Sequence, residues 1–267
     1  MEKLGLLAGA GHLPTECARA AKNLNLDVYA VAPLDETDEE LKLAAPHYAA
    51  ISIGQLDALL TYLKDNEIKK VTMIGKVTKE LLFNGKVKPD ARMLGIIMGL
   101  PDRSDDTIMM AFVKELAKEG ITAADQTALI KALMPNKGVL TKREPTADEK
   151  ADMDFGFKMA KELGRLDVGQ TVVVKNQAVM ALEAIEGTDA CIKRGGALAK
   201  EGATVVKVAK PAQDNRFDVP TVGVETIKSM LDANAKALAI EAQATLLVER
   251  EKVVALADEN GITIAAI

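Results

Sequence analysis

The sequence predicts an α/β protein whose first half folds as a parallel sheet covered by helices. Short apolar runs of about five residues, the usual length of a strand, alternate with stretches whose apolar residues recur at helical spacing. Turns that contain glycine separate several of these runs. Such an alternation is typical of parallel strands joined by helical crossovers.

The elements of the first half follow one another in strand–helix order. Residues 4–8 are an apolar strand, which leads through a turn at 9–11 into a helix at 14–23. In the stretch 55–66, leucines recur at the spacing of one helical face, which predicts a second helix. The further predicted elements are strands at 27–31 and 70–74 and a helix at 105–119, which Gly120 ends.

A polar stretch at residues 135–148 divides the chain. It contains two prolines, a glycine and several charged residues, which is typical of a linker. We therefore predict an N-terminal domain at 1–134 and a C-terminal α/β domain at 149–267. The predicted elements of the second half are a helix at 149–163, a hairpin of strands 170–174 and 179–183, a helix at 189–200, a strand at 204–208, and a closing strand–helix–strand unit at 245–248, 249–260 and 262–266.

The composition is that of a soluble globular protein. Of the 267 residues, 48% are hydrophobic and 27% are charged, and the net charge at pH 7 is -5. A general nucleic-acid binder neutralises many phosphates with Lys and Arg, and many such proteins stack bases on aromatic rings. The negative net charge and an aromatic content of 3% argue against that class. The composition is compatible with binding of a small anionic ligand, because such a ligand needs only a few local cations.

Cysteine content and hydropathy bear on the compartment. Cys17 and Cys191 are far apart and belong to no CxxC motif, so neither a disulfide framework nor a structural zinc site is expected. No apolar run approaches the roughly 20 residues of a membrane span. The apolar run near the start is too short for a signal peptide. We expect a cytoplasmic protein, which would meet a lipid substrate peripherally.

The turn after the first strand is the first candidate for ligand binding. Gly9 and Gly11 let the backbone come close to a ligand, and His12, Leu13 and Pro14 open the helix that follows. Free N–H groups at a helix start favour phosphate. One alternative is NAD binding, but a proline replaces the third glycine of the fingerprint and the acid after strand two is missing. The other alternative is a tight turn without a ligand.

Two further stretches of the first half could line the same crevice. Lys76 and Thr78 follow the third strand, and ligands of open parallel sheets bind beyond the carboxyl ends of strands. A solvated loop with ordinary lysines is the alternative. Asp105 and Asp106 follow Ser104 at a helix start, where capping explains them at least as well as a contact to a ribose or a metal.

The second half carries the densest set of charged residues. Glu183, Glu186 and Asp189 lie close together at the end of a predicted strand. The stretch 207–220 contains two lysines, one arginine and two aspartates. Cations can bind pyrophosphate oxygens, and carboxylates can hold Mg²⁺ or Mn²⁺ or orient water for attack on phosphorus. The alternative is a charged surface loop with local ion pairs.

Taken in order, these stretches resemble the LpxI family of pyrophosphatases. The resemblance covers nearly the whole chain and rests on GLLAGAGHLP at 5–14, GKVTK at 75–79, SDD at 104–106, LDVGQ at 166–170, EAIEGTD at 183–189 and KPAQDNRFDVP at 210–220. It implies an N-terminal Rossmann-like domain with a parallel sheet and a distinct C-terminal α/β domain, with the substrate cleft between them. It also implies a homodimer.

The resemblance further implies a reaction. Members of the family hydrolyse UDP-2,3-diacylglucosamine in lipid A biosynthesis, where water attacks the α-phosphorus. The products are UMP and 2,3-diacylglucosamine 1-phosphate (lipid X), and the activity needs Mg²⁺ or a similar ion such as Mn²⁺. The alternatives are an NAD(P)-dependent oxidoreductase and a non-catalytic module that binds nucleotide sugars.

Roles for individual residues follow from the same resemblance. The catalytic aspartate of the family falls in an Arg-x-Asp-x-Pro motif, which gives Asp218 here as the residue that binds the metal or activates water. Asp189 and Asp214 are expected to complete the oxygen ligands of the metal. The expected substrate-binding residues are Gly9, Gly11, His12, Leu13, Pro14, Lys76, Thr78, Asp105, Asp106, Gln170, Glu186, Gly187, Thr188, Lys207, Lys210, Gln213 and Arg216.

Overall fold

The structure is a computed structural model that describes residues 1–33, 39–75, 87–102 and 104–267. Its residues form two compact units. The first unit contains Met1–Ile130 together with Asn215–Phe217, and the second contains Lys131–Asp214 together with Asp218–Ile267. Three residues from far along the sequence therefore belong to the first unit.

Within the described residues, the first unit is built on a parallel sheet of five strands. In chain order these are β1 (Glu2–Ala8), β2 (Leu26–Ala32), β3 (His47–Ala50), β4 (Lys70–Ile74) and β5 (Thr122–Ala123). Their order across the sheet is β3-β2-β1-β4-β5, and every neighbouring pair is parallel. The predicted parallel sheet is confirmed.

The described helices of the first unit are α1 (Leu13–Asn23), α2 (Glu39–Ala44), α3 (Leu56–Asp65), α4 (Ala91–Gly99), α5 (Asp105–Lys118) and α6 (Thr127–Ile130). Helix α3 buries Leu56, Leu60 and Leu63, so the leucine spacing marks the face that packs in the core. The Ser104 hydroxyl accepts the N–H of Thr107 and caps α5, as its position before the helix predicts.

The second unit is built on a mixed sheet whose six described strands run in the order β6-β13-β11-β9-β7-β8. They are β6 (Gly138–Val139), β7 (Thr171–Lys175), β8 (Ala178–Leu182), β9 (Thr204–Lys207), β11 (Ala237–Ile240) and β13 (Thr263–Ala266). Strands β9, β11 and β13 are parallel, whereas β7 is antiparallel to both β8 and β9. The carboxyl end of β9 therefore lies beside the amino end of β7.

Helices pack against this second sheet. They are α7 (Ala147–Arg165), α8 (Thr188–Ala199), α9 (Val224–Asp232) and α10 (Arg250–Glu259). Alternate residues of β7 enter different cores, because side chains of a strand point to opposite faces. Val173 joins one core with Ile192 of α8, whereas Val172 joins another with Met153 of α7. The apolar run of β7 thus reflects burial on both faces.

Two parts of the second unit differ from the predicted elements. The predicted linker contains β6, which pairs with β13, so residues 138–139 are part of the sheet. The predicted closing strand–helix–strand unit does not form in one sheet. Its first strand, β12 (Leu246–Leu247), pairs instead with β10 (Thr221–Val222) in a separate two-stranded sheet. The sequence pattern predicted no strand at 221–222, so the pairing partner of β12 was not foreseen.

Among the described residues, no helix combines the length and the apolar character that crossing a membrane requires.

Candidate functional site

The second unit places a lysine side chain in its interior. Lys207 is the last residue of β9 and is only 8% exposed. Its ammonium donates hydrogen bonds to the Thr188 hydroxyl at 3.1 Å and to the Thr221 carbonyl at 2.9 Å. Burial lowers the pKa of Lys207, because leaving water disfavours the charged form. A buried lysine held by specific partners is a candidate functional group.

Three carboxylates act on the Lys207 ammonium. Glu183, Asp189 and Asp218 each oppose the effect of burial on the pKa of Lys207. The structure thus brings two of the three predicted catalytic aspartates to one lysine. When all of these groups are ionised, the carboxylates outnumber the cation. An anionic substrate would therefore need a further cation at this site to offset the excess negative charge.

Glu183 is fixed by donors on both sides. Its carboxylate accepts hydrogen bonds from the Thr188 hydroxyl at 2.9 Å and from the Gln170 N–H at 3.3 Å. Gly169 is required beside it, because a Cβ atom at that position would collide with the Glu183 carbonyl oxygen. The Thr188 hydroxyl therefore joins Glu183 to Lys207, and the position of each depends on the other two.

The first turn of α8 lies next to Lys207. Gly187 precedes the helix with a φ of +82°, and no side chain in the described part of the chain caps the N–H groups that follow it. Thr188 is the first helical residue, and the Asp189 carboxylate accepts a hydrogen bond from the Ser229 hydroxyl at 3.1 Å. Uncapped N–H groups and the positive end of the helix dipole favour an anion. Three predicted site residues are therefore grouped at this helix start.

The loop after β9 folds into two turns. The N–H of Lys210 donates to the Gln213 side-chain oxygen at 2.6 Å, and the N–H of Asp218 donates to the Asp214 carbonyl at 2.9 Å. The second bond keeps the two predicted catalytic aspartates of this loop one turn apart. The Lys210 ammonium pairs with Asp167 at 2.8 Å. Asp167 had no role in the prediction.

Two buried amide atoms beside this loop lack a hydrogen-bond partner within the described residues. They are the side-chain oxygen of Gln170 and the side-chain nitrogen of Gln213. The Gln170 carbonyl accepts the Val208 N–H at 3.1 Å, so Gln170 lies next to the end of β9. An unpaired buried polar group costs about 1–3 kcal/mol, so a bound polar group or water is expected there. Both glutamines were predicted to bind substrate.

Glu186 has a different environment from the other acids. Its carboxylate pairs with Arg194 of α8 at 2.5 Å and accepts the Ala184 N–H at 3.2 Å. The hydrogen bond from Arg194 lowers the pKa of Glu186. The predicted substrate-binding residue Glu186 therefore supports the loop before α8, and its charge is already matched by an arginine.

The site offers carboxylate oxygens, which suit Mg²⁺, but too few of them to form a complete metal site by themselves. Within residues 1–33, 39–75, 87–102 and 104–267, no three His, Cys, Asp or Glu side chains converge on a metal position. Magnesium, however, usually binds one or two carboxylates and takes its remaining ligands from water and substrate phosphates. Asp189 and Asp218 supply hard oxygen donors near the excess negative charge. They fit a magnesium ion that is shared with a substrate.

In the first unit, the strand order reverses between β1 and β4. The strands that follow β1 and β4 lie on opposite sides, and such a switch point is the usual ligand crevice of an open parallel sheet. The Gly9 N–H donates to the Ile74 carbonyl at 2.8 Å. Gly75, at a φ of +102°, has no room for a side chain, because a Cβ atom would lie 2.8 Å from the Gly9 backbone. The predicted loop at Gly9 and Gly11 thus follows β1 at this crevice.

The residues that open α1 are partly used in packing. The side chains of Leu13 and Pro14 are buried, so packing accounts for both of them. His12 precedes the helix without capping it through its side chain. The His12 Nε2 atom lies 3.9 Å from the Glu40 carboxylate, which also pairs with Arg19 at 2.9 Å. Of these three predicted residues, His12 alone has a partly exposed polar side chain.

Four further predicted residues of the first half have little or no description. Lys76 and Thr78 lie outside the described residues. Asp105 and Asp106 are the first two residues of α5, and only their backbone is described. These predictions therefore remain predictions.

Arg216 belongs to the first unit, although its neighbours Asp214 and Asp218 belong to the second. Its guanidinium donates to the sulfur of Met110 on α5 at 3.2 Å and lies 5.9 Å from the Phe217 ring. The Gln126 N–H donates to the Asn215 carbonyl at 3.1 Å and holds the same segment. The predicted anion-binding arginine thus contacts an apolar side chain of α5.

Two family models match the chain. The LpxI N-terminal domain matches residues 3–133, and the LpxI C-terminal domain matches residues 136–265. The chain belongs to the LpxI family. A curated relative, the UDP-2,3-diacylglucosamine pyrophosphatase LpxI of Caulobacter vibrioides, is 31% identical over 285 residues, which cover 100% of this chain and 98% of the relative.

Solved structures show weaker likenesses to this LpxI-family chain. A glycinamide-RNase-transformylase T from Mycobacterium tuberculosis is 14% identical with a TM-score of 0.27, covering 69% of this chain and 44% of that one. An N5-carboxyaminoimidazole ribonucleotide synthetase from Thermotoga maritima is 12% identical with a TM-score of 0.24, covering 70% and 42%. The chain thus matches less than half of each structure, and neither likeness bears on its function.

Several residues of this LpxI-family site carry no role in the sequence prediction. Thr221 acts through its carbonyl, which no side-chain pattern reveals. Ser229 is buried among the apolar residues of α9, and a serine at such a position could have predicted a buried hydrogen bond. Glu183 was visible as an acid at a strand end, but its bond to Thr188 depends on the turn before α8.

Proposed function

We propose that this chain hydrolyses the pyrophosphate of UDP-2,3-diacylglucosamine, releasing UMP and 2,3-diacylglucosamine 1-phosphate (lipid X) for lipid A biosynthesis. Membership of the LpxI family over both halves of the chain supports the substrate class. The printed name of the Caulobacter vibrioides relative supports the reaction. The structural observation that carries the proposal is the buried Lys207 ammonium, on which Glu183, Asp189 and Asp218 act.

The positive groups of this site suit the pyrophosphate. Lys207 is already positioned by the Thr188 hydroxyl and the Thr221 carbonyl, so little side-chain freedom is lost when a phosphate oxygen binds. The uncapped N–H groups after Gly187 provide further donors at the start of α8. Fixed donors stabilise charge that develops on phosphate oxygens during the reaction without having to reorganise.

Asp218 is the proposed base for the attacking water. In this mechanism the water oxygen bonds to the α-phosphorus, and the bond from the α-phosphorus to the bridging oxygen breaks. The bridging oxygen leaves on the β-phosphate of the lipid-sugar product, and the carboxylate of Asp218 takes the proton that the water loses. Its N–H bond to the Asp214 carbonyl fixes the backbone that carries this carboxylate.

A divalent ion is part of the proposal. Asp218 and Asp189 would hold Mg²⁺ or Mn²⁺ together with oxygens of the substrate, and Asp214 is a third candidate ligand. When bound, such an ion neutralises phosphate charge and acts as a Lewis acid. The carboxylates that act on Lys207 supply the negative charge that retains it.

The remaining predicted residues have supporting roles in this proposal. Lys210 and Arg216 would add positive charge for the phosphates, and Gln170 and Gln213 would bond a polar group of the substrate through their unpaired amide atoms. The glycines of the crevice in the first unit would approach the nucleotide or the sugar. A cytoplasmic location, peripheral contact with the membrane that holds the lipid, and a homodimer belong to the same proposal.

The test is UMP release from UDP-2,3-diacylglucosamine in detergent with Mg²⁺, run in ¹⁸O-labelled water. The proposal expects turnover, with the label in UMP because water attacks the α-phosphorus. EDTA should stop turnover, and added Mg²⁺ or Mn²⁺ should restore it. Asp218→Asn should lower kcat by about a hundredfold or more, which is the usual contribution of a general base.

Asp154→Asn is the matched control, since Asp154 is an exposed aspartate of the second unit on α7. It should leave kcat unchanged. Label in the lipid-sugar phosphate would show attack at the β-phosphorus and would reject the proposed mechanism. Substrate binding without turnover by the folded protein would favour the non-catalytic alternative.

A further inference from the structure

A pair of charged side chains in the second unit holds the backbone of one residue just after β9. The Lys161 ammonium on α7 donates to the Ala209 carbonyl at 2.8 Å, and the Glu241 carboxylate accepts the Ala209 N–H, also at 2.8 Å. The same ammonium bonds both oxygens of Glu241 at 3.0 Å. The three residues thus form a closed ring of hydrogen bonds, in which both polar groups of the Ala209 backbone are used. The proposed function gives neither charged residue a role.

The Lys161–Glu241 pair differs from an ordinary surface ion pair. Its side chains are 29% and 21% exposed, and its members are 80 residues apart in sequence, on α7 and after β11. On the same helix, Arg165 and Glu162 pair at 2.7 Å within one turn, and their side chains are 61% and 63% exposed. Exposed pairs of that kind contribute little to stability. Charged groups that bond a backbone where water is partly excluded hold it more strongly.

The sheet itself places Glu241 at the end of β9. Strands β9 and β11 are parallel, and Ile240, the last residue of β11, is paired with Lys207. The Glu241 N–H continues this pairing by donating to the Lys207 carbonyl at 3.2 Å. Glu241 therefore bonds Lys207 through its backbone and Ala209 through its side chain. These bonds fix the direction in which the chain leaves β9.

The chain that follows Glu241 holds the far end of the loop after β9. The Glu241 carbonyl accepts the Thr245 N–H at 3.1 Å, which closes a turn that leads into β12. In β12, the Leu246 N–H donates to the Pro220 carbonyl at 2.8 Å. One short segment of the second unit therefore bonds the 209–220 loop at both of its ends. That loop carries two of the three predicted catalytic aspartates.

From these bonds we infer that Lys161 and Glu241 are positioning residues for Asp218. They hold the start of the 209–220 loop and so fix the path of the backbone that carries this aspartate. The inference rests on the proposed function, which makes Asp218 the base. The pair has no net charge when both members are ionised, so it acts on the path of the backbone rather than on the charge of the site. Such support matters, because a displacement of about 1 Å can lower a rate about a hundredfold.

The first test measures the loop without turnover, by hydrogen–deuterium exchange of the intact protein. In Glu241→Leu, which removes the acceptor for the Ala209 N–H, peptides that span 209–214 should exchange about tenfold faster than in wild type. Glu241→Gln keeps one acceptor oxygen and should exchange nearly like wild type. Glu162→Leu is the matched control, because Glu162 belongs to the exposed pair on α7. It should leave the exchange of the loop unchanged.

The second test asks whether Glu241 acts through Asp218. Glu241→Leu should lower kcat for UMP release by about tenfold or more, and Glu241→Gln should retain most of the wild-type kcat. In the Asp218→Asn background, Glu241→Leu should lower kcat by no more than about twofold further, because the carboxylate that it positions is already gone. A merely structural loss would lower kcat by the same factor in both backgrounds.

Two outcomes would overturn the positioning role. One is unchanged exchange of the loop in folded Glu241→Leu, and the other is an equal loss of kcat with and without the Asp218 carboxylate. If wild type releases no UMP, the proposed function fails and the role for Asp218 with it, while the exchange still decides whether the pair holds the loop. Thermal melts establish that each variant is folded. If Glu241→Leu does not fold, Lys161→Met, which removes the donor to the Ala209 carbonyl, is carried through the same measurements.

Discussion

The ammonium of Lys207 and the hydroxyl of Thr188 are 3.1 Å apart and join the end of β9 to the first residue of α8. The same hydroxyl donates to Glu183 at 2.9 Å. A cation, a hydroxyl and a carboxylate therefore form one continuous hydrogen-bonded chain. Such a chain is fixed only when all of its members are present.

Lys207→Met should destabilise the protein by about 3–5 kcal/mol at neutral pH, because the buried Glu183 carboxylate loses its counter-charge. Urea unfolding measures this loss. Adding Glu183→Gln should recover part of it, since the double variant no longer has that uncompensated buried charge. If the loss of unfolding free energy in the double variant equals the sum of the losses in the two single variants, the residues act independently.

Asp152→Ala should destabilise the second unit by about 2–4 kcal/mol, because hydrogen bonds to a charged acceptor are lost. Asp152 is buried on α7 and accepts the N–H groups of Asn176 at 3.1 Å and Gln177 at 2.5 Å. These residues have φ values of +51° and +55°, as the two-residue turn between β7 and β8 requires. Urea unfolding provides the measurement.

Asp154→Ala on the same helix is the control for this prediction, since Asp154 is exposed. In the turn that Asp152 supports, Gln177→Gly should stabilise the protein by about 1 kcal/mol, because Gln177 has a positive φ, at which glycine has no penalty. A stable Asp152→Ala variant would show that the turn needs no support from α7.

Glu149→Gln should destabilise the protein by about 1–3 kcal/mol at pH 7, since a charge-assisted pairing is lost. Glu149 forms a capping box with Thr146 and accepts two hydrogen bonds from Arg143, each 2.9 Å long. Burial raises the pKa of Glu149, but the hydrogen bonds from Arg143 and Thr146 outweigh it and hold the pKa below its ordinary value of 4.5.

The pH dependence of this effect has a definite sign. Because the folded-state pKa of Glu149 is depressed, its contribution is fully present above the unfolded value and is lost as the pH falls through the folded value. The difference in unfolding free energy between wild type and Glu149→Gln should therefore narrow below pH 4.5. Glu162→Gln on the exposed face of α7 is the control. A difference that stays constant down to acid pH would contradict the depressed pKa.

Neither cysteine should react with Ellman's reagent at pH 8 while the protein is folded. Burial raises the pKa of the Cys17 and Cys191 thiols to about 12, so almost no thiolate forms, and both side chains are shielded from the reagent. Both should react in denaturant. Leu43→Cys, which places a thiol at an exposed position, should react in the folded state and so validate the assay.

Strands whose burial is uniform were the most predictable part of the fold. The apolar runs at β1, β4 and β7 contain residues buried on both faces, so their composition alone identifies them. Helix α3 was equally clear, because its leucines repeat on one face. Helix α4 was not predicted. Its own residues are apolar on both the buried and the exposed side, so the sequence shows no amphipathic pattern there.

The candidate site was predictable in its residue types and less so in its connections. The lysine at the end of β9 and the acids before α8 were visible from their positions at strand ends. Their pairing was not, because the Thr188 hydroxyl, the Thr221 carbonyl and the Ser229 hydroxyl come from elements far apart in sequence. Hydrogen bonds across such distances depend on strand register, which a periodic pattern does not specify.

The assignment of Asn215–Phe217 to the first unit has a consequence for dissecting the protein. The backbone crosses from one unit to the other after Ile130, after Asp214 and after Phe217. A fragment that stops before residue 215 would therefore lack the carbonyl that Gln126 uses and the guanidinium that contacts Met110. The first half of the gene therefore does not encode the whole of the first unit, and residues 1–130 should fold properly only when the segment with Asn215–Phe217 is supplied as well.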